Sequence, residues 1–457
     1  MSRSGVRNLL KRKLSKPQAG GVSKPLVGGL LIVLILLGFV LWASTRSARA
    51  PGVDPERPGV GISNQQIARI EERQQAADSV IDYQRIDRRL QALIAEESMV
   101  GLAVGIVENG QIRFLKGYGV TAAGTDDQVG VQTLFRWASV SKGVAGDMVS
   151  KLADEGKLSV YEPIAKYSPW IRLPGGIEQR ATVADVLSHS LGLAGHAYDN
   201  KLEEGADPRF LRGQLSTLNL ICPPGQCHAY QNVAYDGASD VVEKITGMPY
   251  PQAIAERIFG PLGMTSANMS RQGLVTAASW ARPHAGGKHS KPVEVTEPYY
   301  RVPSAGGVNS TIKDLAIWMQ AQMGLAPDVL SPRALEAVQS PRVSTPGELG
   351  RMRKFRERLS SASYGMGWRI YNYAGHKVVG HRGGVRGYRS LVMFDPALKS
   401  GVVALWNSST NQPGGLEFEV MDMLYRLEPR DWLGVDGRAT PEQPAPEAVG
   451  NGAMGAD

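Results

Sequence analysis

Ser139 and Lys142, in the run Phe135-Arg-Trp-Ala-Ser-Val-Ser-Lys-Gly143, bear most directly on chemistry. Positions three apart on a helix lie on one face, one above the other. A serine hydroxyl is a weak nucleophile until a neighbour takes its proton, and a lysine amine one turn away can do so once it is neutral. Burial and nearby positive charge lower a lysine pKa in that direction. At the start of a helix, Ser139 would also gain from the positive end of the helix dipole. S-x-x-K recurs by chance in many chains, so the assignment needs support from elsewhere.

Two further segments supply it. Tyr230-Gln231-Asn232 offers a phenol to relay a proton to a leaving group, and an amide to orient Lys142 and bind a substrate's acyl amide. Gly380-His381-Arg382-Gly383-Gly384 closes a strand-like run, where Gly383 and Gly384 allow a substrate backbone to approach the strand edge. Acyl transfer through serine needs a nucleophile, a base, a proton donor and an oxyanion site, and these segments hold candidates for each. The chain has no G-x-S-x-G elbow, which argues against an α/β-hydrolase.

With these residues the chain resembles the serine β-lactamases and penicillin-binding peptidases, in the class C branch that also holds D,D-carboxypeptidases, D-aminopeptidases and esterases. The resemblance runs from Leu90 to Leu427. Ala181-Thr-Val-Ala-Asp-Val-Leu-Ser-His-Ser-Leu-Gly-Leu193 is similar to that family's T-x-x-x-L-L-x-H-x-S-G-L segment, although Leu191 replaces the serine before glycine. Ile258-Phe-Gly-Pro-Leu-Gly-Met-Thr265 resembles its PLGM turn, and Pro303-Ser-Ala-Gly-Gly-Val-Asn-Ser-Thr311 its AGG-x-x-S-T loop. The resemblance implies catalytic roles for Ser139, Lys142, Tyr230 and His381, and substrate binding by Asn232, Arg382, Gly383 and Gly384. It also implies an oxyanion hole made by the N–H groups of Ser139 and Gly384. His381 takes the place of a lysine in β-lactamases and of a histidine in some D,D-peptidases and esterases. Arg382 departs from the usual threonine or serine; it would grip a carboxylate bidentately, block the pocket or point away.

The elements that must position these groups read as an α+β fold. Val100–Val107, Asn109-Gly110 and Gln111–Gly119 read as a β-hairpin after an amphipathic helix carrying Ile86, Leu90 and Leu93. The middle, roughly 139–340, reads as helical and loop-rich. Strand patterns return at Gly367–Tyr371, Lys377–His381, Arg389–Phe394 and Gly401–Trp406, before a last helix at Leu416–Leu427. Strands at both ends imply an antiparallel sheet assembled from both termini, flanked by helices, with a helical region inserted. Gly143 and Gly146, unfavourable inside a helix, point to another element packed closely there. Ser141 and Tyr235 are expected to serve packing, His189 and His196 to be structural hydrogen-bonders, and the basic run Arg351–Arg358 to be a solvated face. Arg386 and Arg389 fit either a carboxylate contact or ordinary strand surface.

The net charge of +8 in 457 residues invites a nucleic-acid partner, but its distribution excludes one. Arg3, Arg7, Lys11, Arg12, Lys13, Lys16 and Lys24 lie in a tail without acidic residues, and the rest of the chain is nearly neutral. Pro25–Thr45 has no charged residue and, as a helix, would be about 31 Å long, enough to cross the hydrocarbon core. Its basic flank belongs in the cytoplasm, which places the larger part outside the inner membrane, in the periplasm. A signal peptide cleaved at Ala48-Arg49-Ala50, releasing a secreted protein, is the alternative. Cys222 and Cys227 bracket Pro-Pro-Gly-Gln, so a disulfide, free thiols, or a metal site with His228 remain open. No further ligand is apparent, and neither metal nor cofactor is expected. The organisation is therefore a tail (1–24), an anchor (25–45), a linker (46–75), a hydrolase domain (76–433) and a disordered tail (434–457).

The expected function is a membrane-anchored serine hydrolase that forms an acyl-enzyme on Ser139 and acts on β-lactams or D-Ala-D-Ala-like peptides. A carboxylesterase or D-aminopeptidase of the same fold is one alternative. A non-catalytic receptor for peptidoglycan fragments is the other.

Overall fold

The computed structural model describes residues 78–436, with Arg69, Ile70 and Gln74 before them. The basic tail, the apolar segment, nearly all of the expected linker and the chain beyond Asp436 lie outside the described residues. Among the described residues no helix is long and apolar enough to cross a membrane.

Helix α1 (Tyr83–Ala95) starts at Asp82, whose side chain accepts from the Arg85 N–H, and buries Ile86, Leu90 and Leu93. The expected hairpin follows as β1 (Gly101–Glu108) and β2 (Gln111–Gly119). Asn109 (φ 51°) and Gly110 (φ 76°) both take the left-handed backbone that a type I′ turn requires. The short β3 (Phe135–Arg136) leads into α2 (Ser141–Asp154). The inserted region contains α3 (Asp199–Glu203) and α4 (Gly237–Thr246). Strand β4 (Asn309–Ser310), paired with β3, precedes α5 (Ile312–Gln322). The chain then returns to the sheet through β5 (Val343–Ser344), β6 (Leu359–Tyr364), β7 (Arg369–Tyr373), β8 (His376–Val385), β9 (Tyr388–Asp395) and β10 (Ser400–Trp406). Helix α6 (Leu416–Leu424) ends three residues earlier than expected.

The main sheet is antiparallel with the order β2-β1-β10-β9-β8-β7-β6-β5, so the N-terminal hairpin docks on the last strand. That is the assembly from both termini implied by the strand pattern. Strand β1 is buried along its whole length because both faces are covered. Ala103 and Val107 face the larger core with α2 and α5, while Leu102, Val104 and Ile106 face the smaller one with α1 and α6. The folded region also continues past Leu433, contrary to the disorder expected from Gly434. Gly434 N–H donates to Asp431, Val435 is buried, and the Asp436 carboxylate pairs with Arg89.

One mismatch in strand length matters for the site. Strand β7 pairs with β8 only as far as Arg369 opposite Gly380, whereas β9 follows β8 to Val385. His381–Val385 is thus paired on one side only and presents an open edge.

Candidate active site

Ser139 lies in a 3₁₀ turn (Ala138–Val140) that runs directly into α2. The preceding Ala138 holds φ 47°, a left-handed conformation unfavourable for a residue with a Cβ. The turn is pinned on both sides: Trp137 N–H donates to Val308 O at 2.9 Å, and Ser390 Oγ donates to Trp137 O at 2.6 Å. Ser139 remains partly exposed while its neighbours are buried.

Lys142, next on the same face, is fully buried. Its Nζ donates to Asn232 Oδ1 at 2.7 Å and to Ala305 O at 2.8 Å, and lies 3.3 Å from Ser139 Oγ. Burial lowers its pKa from 10.5 to about 7; Asp199 and Asp236 oppose that shift and Arg369 adds to it. A substantial neutral fraction is therefore available near neutral pH, as a general base requires. Gly143 and Gly146 explain the fit of this helix. A Cβ on Gly143 would come within 2.7 Å of Trp318 and 2.8 Å of Trp368, and one on Gly146 within 2.2 Å of Met366 O.

Tyr230 packs beside both groups, with Lys142 Nζ 4.7 Å from its ring centre. Burial raises its hydroxyl pKa above the ordinary tyrosine value, opposed first by the Ser139 hydroxyl and then by Arg369. Its Oη is close enough to feel Ser139, yet it is buried without a well-aligned hydrogen bond. A neutral phenol so placed can pass a proton on, and the neutral Lys142 amine beside it can accept one.

Strand β8 brings in His381 and Gly383. A Cβ on Gly383 would lie 2.2 Å from Trp137 O and 3.1 Å from Ser139 N, so the strand backbone rests directly on the Ser139 turn. His381 is buried, and its pKa is held well below 6.5 by burial and then by Arg369 and Lys142. A carbonyl only accepts, so His381 Nδ1–H donates to Arg382 O (2.8 Å), and Nε2 accepts from Tyr364 Oη (2.9 Å). His381 is thus a neutral strut and offers no cation to a carboxylate.

The Arg382 side chain is turned away from Ser139. Side chains alternate across a strand, so with Gly383 against Ser139, Arg382 and Gly384 project to the other face. There the Arg382 guanidinium pairs with the buried carboxylate of Glu417. Arg389, cross-strand from Gly384, shares that face, and its Nη1 donates to Val385 O and Tyr388 O. Of the resemblance-based assignments, Ser139, Lys142, Tyr230, Asn232, His381 and Gly383 converge. Gly384 contributes backbone alone, and Arg382 is turned away.

Ser141 Oγ accepts from Val308 N–H, and Tyr235 Oη donates to Lys142 O, both structural roles as expected. His189 Nδ1 accepts from Gln231 N–H at 3.1 Å and is fully buried, again structural. In the basic run, Arg351 pairs with Glu348 and Arg358 with Asp422. Cys222 and Cys227 form a disulfide, which settles the three-way reading and removes the thiols from metal binding. Among the described residues no cluster of His, Cys, Asp and Glu is arranged to hold a metal ion.

Sequence reasoning missed three contributors. Ala305 offers Lys142 a carbonyl from the AGG-like loop. Arg369 at the end of β7 is the cation whose field reaches Lys142, Tyr230 and His381, and it pairs with Glu348 at 2.9 Å. Asp199 accepts from Asn232 Nδ2 at 2.7 Å. No local pattern marks the last two, because each reaches the site from a separate segment.

A family model described as Beta-lactamase matches residues 86–422. A curated relative, unguisins hydrolase ungD' of Aspergillus campestris (strain IBT 28561), is 27% identical over 73% of this chain and 64% of its own length. The D-alanyl-D-alanine-carboxypeptidase/endopeptidase AmpH of Escherichia coli (strain K12) is 27% identical over 51% of this chain and 60% of its own. The chain thus spans less than two thirds of the length of either relative. The octameric penicillin-binding protein homologue from Pyrococcus abyssi shares the fold, with a TM-score of 0.68 at 24% identity over 77% of this chain and 79% of that one.

Proposed function

Because the chain belongs to the beta-lactamase family and is a serine hydrolase, we propose that it opens amide bonds in peptides carrying D-residues, of the D-Ala-D-Ala-like kind, through an acyl-enzyme on Ser139. The observation that carries this reading is the open edge of β8 at His381–Val385, laid against the nucleophile turn. An extended peptide pairing there would occupy the space that a longer β7 would fill. Neutral Lys142 takes the Ser139 proton as Oγ attacks the carbonyl carbon. The N–H groups of Ser139 and Gly384 receive the oxyanion. The proton returns through Tyr230 to the departing amine nitrogen, and the C–N bond breaks. Water then attacks the ester, giving its proton to Lys142, and Ser139 leaves with a proton.

Two features refine the substrate. His381 is neutral and Arg382 is tied to Glu417, so neither grips a terminal carboxylate. Recognition along a backbone edge serves interior amides as well as terminal ones, so β-lactams and D-Ala-D-Ala termini, which both carry such a carboxylate, should acylate more slowly than D-residue peptides cut at an interior amide. The receptor alternative has no use for a lysine buried against its charge, and that arrangement argues for catalysis.

The same proposal tethers the domain outside the inner membrane through Pro25–Thr45. The disulfide suits an oxidising compartment, and the basic flank suits a cytoplasmic N-terminus. Hydrolysis of D-residue peptides by the full-length protein, lost in Ser139→Ala, tests the activity. Cleavage of esters but no peptide would favour the esterase. A mature N-terminus at Pro51 would replace the anchor by a cleaved signal.

A further inference from the structure

Asp199 opens α3 and lies outside every motif that pointed to the site. Its side chain is 14% exposed, and Oδ2 accepts from Asn232 Nδ2 at 2.7 Å and from His196 Nδ1–H at 2.8 Å. A carboxylate only accepts, and only the NH₂ end of an amide donates. Asn232 is therefore held with Nδ2 toward Asp199 and Oδ1 toward Lys142. A neutral lysine amine has two hydrogens and one lone pair. Asn232 Oδ1 and Ala305 O, at 2.7 and 2.8 Å, take the hydrogens, and the lone pair is left facing the Ser139 hydroxyl at 3.3 Å.

We infer that Asp199 is a positioning residue for acyl transfer: by fixing the Asn232 amide, it turns the lone pair of neutral Lys142 toward Ser139. The inference rests on Ser139 and Lys142 being nucleophile and base. With the amide reversed, Nδ2 would confront Lys142, and the lone pair would be drawn to it and away from Ser139. His196 at the outer end is seated by its own N–H, which donates to Tyr230 O at 2.7 Å, so the chain of bonds begins on the segment that carries the phenol.

The charge of Asp199 provides a signature that packing alone would not. Around Lys142, Asp199 and Asp236 favour its ammonium and Arg369 disfavours it. Burial keeps Tyr230, Tyr235, His189 and His381 uncharged. Removing the Asp199 charge lowers the Lys142 pKa further, so the acid limb of the rate profile moves to lower pH while the plateau falls.

The test uses full-length wild type, Asp199→Asn and Asp199→Ala, with labelling by a fluorophosphonate followed across roughly pH 5 to 9. NMR of ¹³C-lysine-labelled protein, with Lys142→Arg for assignment, reads the amine directly. We expect the plateau to drop by about tenfold or more and both the limb and the Lys142 titration to move down by about half a pH unit or more. An unchanged profile overturns the inference. So does a lower plateau with limb and titration unmoved, which would leave Asp199 a structural role alone. If wild type is labelled no better than Ser139→Ala, the parent reading fails, and with it the inference that Asp199 serves acyl transfer. The Lys142 titration then shows whether the Asp199–Lys142 coupling exists apart from it.

Discussion

Lys142 Nζ stands farther from Ser139 Oγ, at 3.3 Å, than from Asn232 Oδ1 or Ala305 O. The amine is anchored by its structural acceptors and faces the nucleophile with a contact that has room to shorten when substrate arrives. With a Lys142 pKa of about 7, acylation should rise with pH through that value and level off above it. Rates of ester hydrolysis against pH check this. A limb near the ordinary lysine value would mean that burial does not lower the Lys142 pKa, and a limb that persists in Lys142→Met would mean that Lys142 is not the base.

The same burial has a stability consequence of definite sign. The folded state holds Lys142 less protonated than the unfolded chain, so the cost is fully present below about pH 7 and disappears as pH rises toward 10.5. Its size is on the order of 5 kcal/mol as an upper bound. Lys142→Met, similar in volume and apolar, should abolish acylation and raise Tm at pH 6, with a smaller gain at pH 9. Thermal melts at the two pH values measure the difference; an equal or reversed effect would refute it.

Arg382 belongs to the scaffold. Its partner Glu417 is 1% exposed, and Arg382→Met leaves that carboxylate buried alone. Breaking a buried pair costs about 3–5 kcal/mol, and because the guanidinium is 40% exposed the loss here should be smaller, about 2 kcal/mol. Urea unfolding should show it, with much of the loss recovered in Arg382→Met/Glu417→Gln. Below its unfolding transition the single variant should keep kcat/KM within about threefold for peptide substrates. A hundredfold loss would restore Arg382 to the site.

Gly383→Ala tests the contact between β8 and the nucleophile turn. The added methyl meets Trp137 O at 2.2 Å, a backbone atom that cannot swing aside, and lies 3.1 Å from Ser139 N. The turn must shift, and with it the oxyanion site, so kcat should fall about a hundredfold while the protein stays folded. Full activity in Gly383→Ala would show that the edge is not where substrate binds.

Much of this is legible in the chain itself. Ser139, Lys142, Tyr230 and Asn232 sit in short motifs whose spacing reflects local geometry, and the Asn109-Gly110 turn and strand patterns reflect backbone preference. Arg382 is readable too, since alternation along β8 forces it away from the face that Gly383 shows to Ser139, whatever its position in the motif implies. Asp199 and Arg369 were not readable. They reach Lys142 across 57 and 227 positions of chain, and only the packing of the inserted helices on the sheet brings them there. The end of the folded region was hidden for a similar reason: Val435 and Asp436 are ordered by a core and an arginine from the other end of the domain.

Acyl transfer through Ser139 is tested by intact-mass and peptide-map analysis of the full-length protein after reaction with a fluorophosphonate and, separately, a penicillin. One covalent adduct is expected, mapped to Ser139, absent in Ser139→Ala, and formed more slowly with the penicillin. A folded protein that gains no adduct, or gains it on another residue, would contradict acyl transfer through Ser139.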